Sequence, residues 1–279
     1  MNGLPKNRLF RLFNVSSSGY YDWLKRRPSQ RQIFNERLDQ MITELFFEHK
    51  KRYGYRRIYA WLLQSGYQVS SERVRRRMKK LSLKARQHRQ YRCTTDSNHH
   101  YAVADNILNR QFETESVNQV WVSDITYIKV QQNWLYLAII IDLYSRKVIG
   151  WAMSNHINSQ LVCHALIMAL FNRGYPRQVM LHSDRGSQYC SDQYQKYINF
   201  YQLTCSMSRK GNCWDNAVAE SFFHTLKSEL VYSSHFKNEE EAKSKIMWYI
   251  EVYYNRKRMH SSLNYLTPEQ FENKAKINT

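Results

Sequence analysis

The sequence predicts an α/β protein, a mixed sheet with helices on both faces, preceded by an all-α region. Three observations predict it. Apolar residues recur at helical spacing from Gln32 to about Leu83. Three apolar segments between Val120 and Met153 then read as hairpin-linked strands, and from Ser159 onward helical and extended segments alternate. Charge divides the chain in the same way: residues 1–92 hold 23 Lys and Arg against 6 Asp and Glu, while residues 93–279 hold 19 against 17.

In the first part, Leu38, Ile42, Leu45 and Phe46 line one helical face. Arg56 to Gln64 forms a helix with Ile58, Trp61 and Leu62 turned inward, and Ser65-Gly66-Tyr67 supplies a turn. Val69 is a buried anchor, and Ser70 caps a second helix from Ser71 to Leu81, in which Val74, Met78 and Leu81 stand at i, i+4 and i+7. Arg73, Arg75, Arg76, Arg77, Lys79 and Lys80 occupy most of what remains. A helix with one narrow apolar stripe, cations elsewhere and a short glycine turn before it can pack on one side and enter a major groove with the other. These six cations are therefore candidate DNA contacts. A solvated basic helix is the plainer reading, but the turn and anchor pattern does not depend on charge.

The net charge of +19 supports a polyanionic partner. Its concentration in the first third argues for a DNA-gripping module joined to a nearly neutral one. The five cysteines are odd in number and include no C-x-x-C, so neither a disulfide framework nor a cysteine-rich zinc site is indicated. The longest apolar run, Trp134 to Ile141, is too short to span a bilayer, and the N-terminus lacks the layout of a signal peptide. A soluble protein in a reducing, cytoplasmic setting, with no membrane partner, is expected.

Residues 84–119 are polar with weak periodicity and read as a linker. Strands follow over Val120–Ile128, Trp134–Ile141 and Lys147–Met153, then a helix over Ser159–Phe171, a strand Val179–Ser183, a helix Asp192–Tyr201, a strand Thr204–Met207 and a helix from about Asp215 to Val231. The domains are thus 1–83, helical and DNA-binding; 84–119, linker; 120–232, the α/β core; and 233–279, a C-terminal helical extension.

Three carboxylates stand out in this core. Asp124 lies inside an apolar strand, where a lone charge is expensive to bury unless paired or metal-bound. Asp184 follows the strand that ends at Ser183, at the strand end where open α/β sheets place their ligands. Glu220 sits on the last core helix beside the apolar stripe of Ala219, Phe222, Leu226 and Leu230, flanked by Asn216 and His224. Taken singly, Asp184 reads as a turn residue and Glu220 as a solvent-facing one. Together they gather three oxygen ligands at a shared edge, with no histidine or cysteine at ligand spacing, which favours Mg²⁺ or Mn²⁺ over zinc. Two such ions can activate an attacking oxygen and stabilise a leaving one in phosphodiester displacement.

The segments Trp121–Tyr127, Asp142–Arg146, His182–Tyr189 and Ser208–Glu229 resemble the DDE transposases of bacterial insertion sequences, and within them the group whose second reading frame encodes an integrase-like protein. The 35 residues between Asp184 and Glu220 match the spacing of that group, and the resemblance runs from about Val15 to the Leu266-Thr267-Pro268-Glu269 region. It implies an RNase H-like core, two Mg²⁺ ions held by Asp124, Asp184 and Glu220, cleavage at the element's ends and attack by the freed 3′-hydroxyl. It also implies a homo-oligomer on DNA, association with the nucleoid and an upstream-frame partner or fusion. No zinc module is present in the sequence, unlike in the retroviral relatives. Lys227 matches a basic residue that contacts terminal DNA. It stands two turns beyond Glu220 on one helix face, about 10 Å along the axis, too far to share an ion with Glu220 but suited to positioning terminal DNA just beyond the scissile bond; in either that role or the plainer one of surface charge it is expected to be exposed. Lys210 and Asn212 in the preceding loop suggest substrate contact, and Trp214 serves either substrate or packing.

Overall fold

In a computed structural model of the chain, residues 6–86, 103–209 and 213–277 are described. They belong to two compact units, Met1–Ala85 and Arg86–Thr279.

The first unit is helical: α1 Lys6–Leu12, α2 Ser17–Lys25, α3 Gln30–Glu48, α4 Tyr55–Gln64 and α5 Ser71–Lys80. The Ser29 hydroxyl accepts from the Gln32 amide and starts α3, which buries Leu38, Ile42, Leu45 and Phe46. Helix α4 buries Ile58, Ala60 and Leu62, whereas Trp61 is only half-buried. Gly66 (φ +84°) permits the left-handed turn after α4, closed by the Tyr67 amide donating to the Leu62 carbonyl. Val69 is half-buried; Ser70 caps α5 by accepting from the Arg73 amide at 3.2 Å. Val74 and Met78 carry the buried stripe of α5, each stabilising the unit by about 1.5–3 kcal/mol.

The second unit is built on β1 Val120–Val130, β2 Asn133–Asp142, β3 Val148–Ser154, β4 Met180–Ser183 and β5 Thr204–Met207, in the order β3-β2-β1-β4-β5. The β3-β2-β1 pairs are antiparallel, and β1-β4 and β4-β5 are parallel. Its helices are α6 Ser159–Arg173, α7 Asp192–Phe200, α8 Ala217–Glu229, α9 Glu239–Trp248 and α10 Pro268–Ile277. Side-chain alternation sends Val122, Ile128, Leu137 and Ile139 to a core shared with α8 and α9, and Trp121, Ala138 and Ile140 to a second core shared with α6 and α7. Gly150 lets β3 approach α6 closely, since a Cβ there would collide with the Ala165 carbonyl and the Ala169 backbone.

Residues beyond 232 complete the first of these cores. Phe236, Ala242, Ile246, Tyr249, Ile250, Tyr253 and Tyr254 enter it, the last four from a π-helical turn, Tyr249–Tyr254, that continues α9. Before the sheet, Leu108 is buried in the same core. Helix α10 presents the buried Glu272, which accepts from the Ser145 hydroxyl at 2.6 Å and pairs with Arg173. Arg173 also lies 3.3 Å from Asp142, whose carboxylate accepts from the amides of Asn118 and Tyr144 and so fixes the turn after β2. Among the described residues no helix is long and apolar enough to cross a membrane.

Candidate active site

Parallel pairing of β1 with β4 matches Val122 with His182, so Asp124 and Asp184 lie two residues further along neighbouring strands, at one edge of the sheet. Local hydrogen bonds orient both: Asp124 Oδ1 accepts from the Ile125 amide at 2.8 Å, and Asp184 Oδ1 from the Gly186 amide at 2.9 Å. Glu220 is in the first turn of α8. The start of that helix is fastened to β1, because the buried Asn216 amide donates to the Ser123 carbonyl at 3.0 Å, one residue from Asp124.

Asp124 is the electrostatic centre of the group. Burial, then the charge of Asp184 and that of Glu220 push its carboxyl well above the ordinary carboxylate range, against the Ile125 hydrogen bond and Lys227. Burial also raises Glu220. Among the described residues, no three carboxylate, imidazole or thiol groups stand close enough to close around one ion. The structure thus brings Asp124 within electrostatic reach of both other carboxylates without forming a three-ligand cage. The donor chemistry is that of a hard divalent cation: oxygen donors only, with like charges that a cation would relieve.

Nearby polar groups shape this edge. His182 is fully buried, its Nδ1 2.9 Å from the Ser206 hydroxyl and its Nε2 3.2 Å from that of Ser208, and burial holds it down to about 4. It is a neutral packing histidine. The Tyr189 hydroxyl lies 2.9 Å from that of Ser123, within electrostatic reach of Asp184 and Asp124.

Asp215 was not singled out by the sequence, yet it is fully buried and accepts from Asn106, Arg110 and Arg209. It thereby ties the entry to α8 to a segment about a hundred residues earlier. Its place inside the Ser208–Glu229 motif is the signal that could have found it; Asn106 and Arg110 carried none.

Lys227 corrects an expectation. It is 4% exposed rather than exposed, because its position on α8 faces the sheet and its ammonium lies 4.7 Å from the centre of the Tyr127 ring. Burial lowers it to about 8, with Asp124 opposing. Lys227→Ala should therefore cost about 1–2 kcal/mol through lost packing of the stem, while Lys227→Met should keep most of that packing. Urea unfolding of the two variants checks this, and equal, negligible losses would show that the lysine is not packed.

Two of the six α5 cations meet side chains of α3. Positions 73 and 77 flank the apolar stripe on the side of α3. Arg73 donates to Asn35 at 2.8 Å and covers the Phe34 ring, and Arg77 forms a two-pronged pair with Asp39. Arg75 and Arg76 share the half-buried Glu72, and Lys79 and Lys80 are exposed. Lys210 and Asn212 lie outside the described residues, and nothing is stated of the Trp214 side chain.

An integrase core domain family matches residues 114–213, a second integrase core family residues 201–268, and an HTH-like domain family residues 34–91. Over 266 residues, 95% of this chain and 92% of the relative, the sequence is 43% identical to the transposase InsF for insertion sequence IS3A of Escherichia coli. The chain belongs to the insertion-sequence transposase family. A 31 kDa protein of insertion element IS600 from Shigella sonnei is 44% identical over 94% of this chain and 97% of its own. A simian T-cell lymphotropic virus intasome chain aligns over 63% of this transposase and 60% of itself, at 18% identity and a TM-score of 0.49. The transposase combines a polynucleotidyl-transferase-type integrase core with an HTH-like N-terminal domain, in agreement with the α/β core and all-α region expected from the sequence.

Proposed function

We propose that Asp124, Asp184 and Glu220 are the catalytic carboxylates of this transposase and hold divalent ions, Mg²⁺ or Mn²⁺, two per site and without zinc. The observation that carries the reading is the placement of Asp124 on β1 and Asp184 just beyond β4 at one edge of the sheet, with Glu220 in the first turn of α8, whose start is fastened to β1. Bound ions would supply activation of the attacking oxygen and stabilisation of the leaving one in phosphodiester displacement. The chain's own part is to hold the carboxylates on a strand, a strand end and a helix start whose positions are fixed by backbone pairing and by Asn216. Lys227 supplies a positive charge beside Asp124. The reaction is cleavage at the element's ends followed by attack of the freed 3′-hydroxyl on another phosphodiester.

DNA is the partner of the first unit, met through Arg75, Arg76, Lys79 and Lys80. A homo-oligomer on DNA, cytoplasmic and nucleoid-associated, and an upstream-frame partner complete the proposal. Replacing Arg75, Arg76 and Lys79 together by alanine should weaken DNA binding and reduce the slope of log affinity against log salt by up to ~0.9 for each lost phosphate contact. Anisotropy titrations at several salt concentrations measure it, and an unchanged slope would mean that these side chains face away from DNA. The function as a whole is tested by incubating the chain with labelled DNA carrying the element's ends and Mg²⁺, then resolving both strands. Joined products are expected; cleavage without joining would make the protein a nuclease, and no reaction would leave a DNA-binding protein with an idle core.

A further inference from the structure

Residues 6–27 lie outside the HTH-like match at 34–91, yet they repeat the plan of α4, turn and α5. The tripeptide Val15-Ser16-Ser17 that opens α2 recurs as Val69-Ser70-Ser71 at the opening of α5, after a connection two residues longer. Helix α1 ends as α4 does: Asn14 takes a left-handed conformation (φ +53°), as Gly66 does, and the Val15 amide reaches back to the Phe10 carbonyl at 3.0 Å, as Tyr67 reaches Leu62 at 2.9 Å. The second helix of each pair is then capped by the same serine. Ser16 Oγ accepts from the Gly19 amide at 3.0 Å, and Ser70 Oγ from the Arg73 amide at 3.2 Å. The Phe10 and Tyr20 rings, 5.0 Å apart, join α1 to α2 as apolar side chains join α4 to α5.

Neither α1 nor α2 buries a residue, and residues 6–31 hold seven Lys and Arg against the single Asp22. Lys25, Arg26 and Arg27 form an exposed cationic run at the end of α2. We infer that residues 6–27 form a second helix-turn-helix, whose α2 end grips duplex DNA at a place of its own. The inference deepens the proposed function and rests on its reading of the first unit as DNA-binding. A polyanion is favoured over a second copy of this chain because the segment's cations would meet a strongly basic partner there. The exposed Leu12, Phe13, Trp23 and Leu24 are the groups a second copy would instead cover.

The test uses the full chain and a fluorescein-labelled duplex of the element's terminal sequence, with binding measured against salt and by hydroxyl-radical footprinting. K25A/R26A/R27A should lose up to ~2.7 from the salt slope and one protected segment of DNA, while R75A/R76A/K79A loses a different one. K25Q/R26Q/R27Q, which keeps long polar side chains at these positions, should repeat the loss if the alanine variant folds poorly. An unchanged slope and footprint in both variants would overturn the inference, as would a change in sedimenting mass without DNA present and no change in the footprint, which would assign the segment to a second copy. If only the α5 variant leaves binding untouched, the reading of α5 fails and that of α2 stands.

Discussion

Asp124→Asn is expected to abolish strand cleavage and joining while making the metal-free protein more resistant to heat. The first effect follows from removing the charge that Asp184 and Glu220 share a site with: a loss of about a thousandfold or more, on the order of 4 kcal/mol of barrier. Asp184→Asn and Glu220→Gln should do likewise, with DNA binding kept. The second effect follows from the sign of the shift. Because burial and like charges hold the Asp124 carboxyl above its ordinary range, the folded state keeps a proton that the unfolded state gives up. Stability therefore falls as pH rises from the ordinary carboxylate range towards the raised value, and stays lower above it. An asparagine removes that penalty. Melting curves of wild type and variant at neutral pH, with and without Mg²⁺, read both halves: wild type should gain from the metal, and the variant should start higher and gain less. A variant that retained strand transfer, or melted lower without metal, would sink the assignment.

Arg258→Met should be the most destabilising single change away from this edge. Glu229, at the end of α8, is buried and accepts from Arg258 Nε at 3.0 Å and Nη2 at 2.9 Å, and from the Tyr249 hydroxyl at 2.9 Å. Removing the guanidinium leaves a buried carboxylate without its cation, at a cost of about 3–5 kcal/mol. Replacing both partners by apolar residues, E229L/R258M, should recover most of it, because the penalty lies in the orphaned charge and not in the absent pair. Urea unfolding of the single and double variants measures the difference, and a single variant within about 1 kcal/mol of wild type would show the pair to be solvated.

Legibility in the sequence followed the range of the interactions. The α5 cap at Ser70, the glycine turn before it and the Val74–Met78 stripe were all visible, because each depends on residues within a turn or two. So were the hairpins of β1, β2 and β3, whose apolar runs and short joints are local. Asp124, Asp184 and Glu220 were legible as types and spacings, and the placement of the first two at one edge followed from the order of elements. What the sequence determined by itself was therefore periodicity, caps, the division of charge and the order of strands and helices.

Tertiary structure alone decided which polar side chains those elements bury. Position 227 faces the sheet, so a lysine that looks like surface charge is packed over Tyr127 beside Asp124. Arg73 and Arg77 meet Asn35 and Asp39, 38 residues away on α3. Asp215 finds Asn106 and Arg110 across about a hundred residues, and Phe236 to Tyr254 complete a core begun at Leu108. Burial and ion pairing are set by neighbours in space, and a periodicity that specifies which face of a helix packs carries no information about what it packs against.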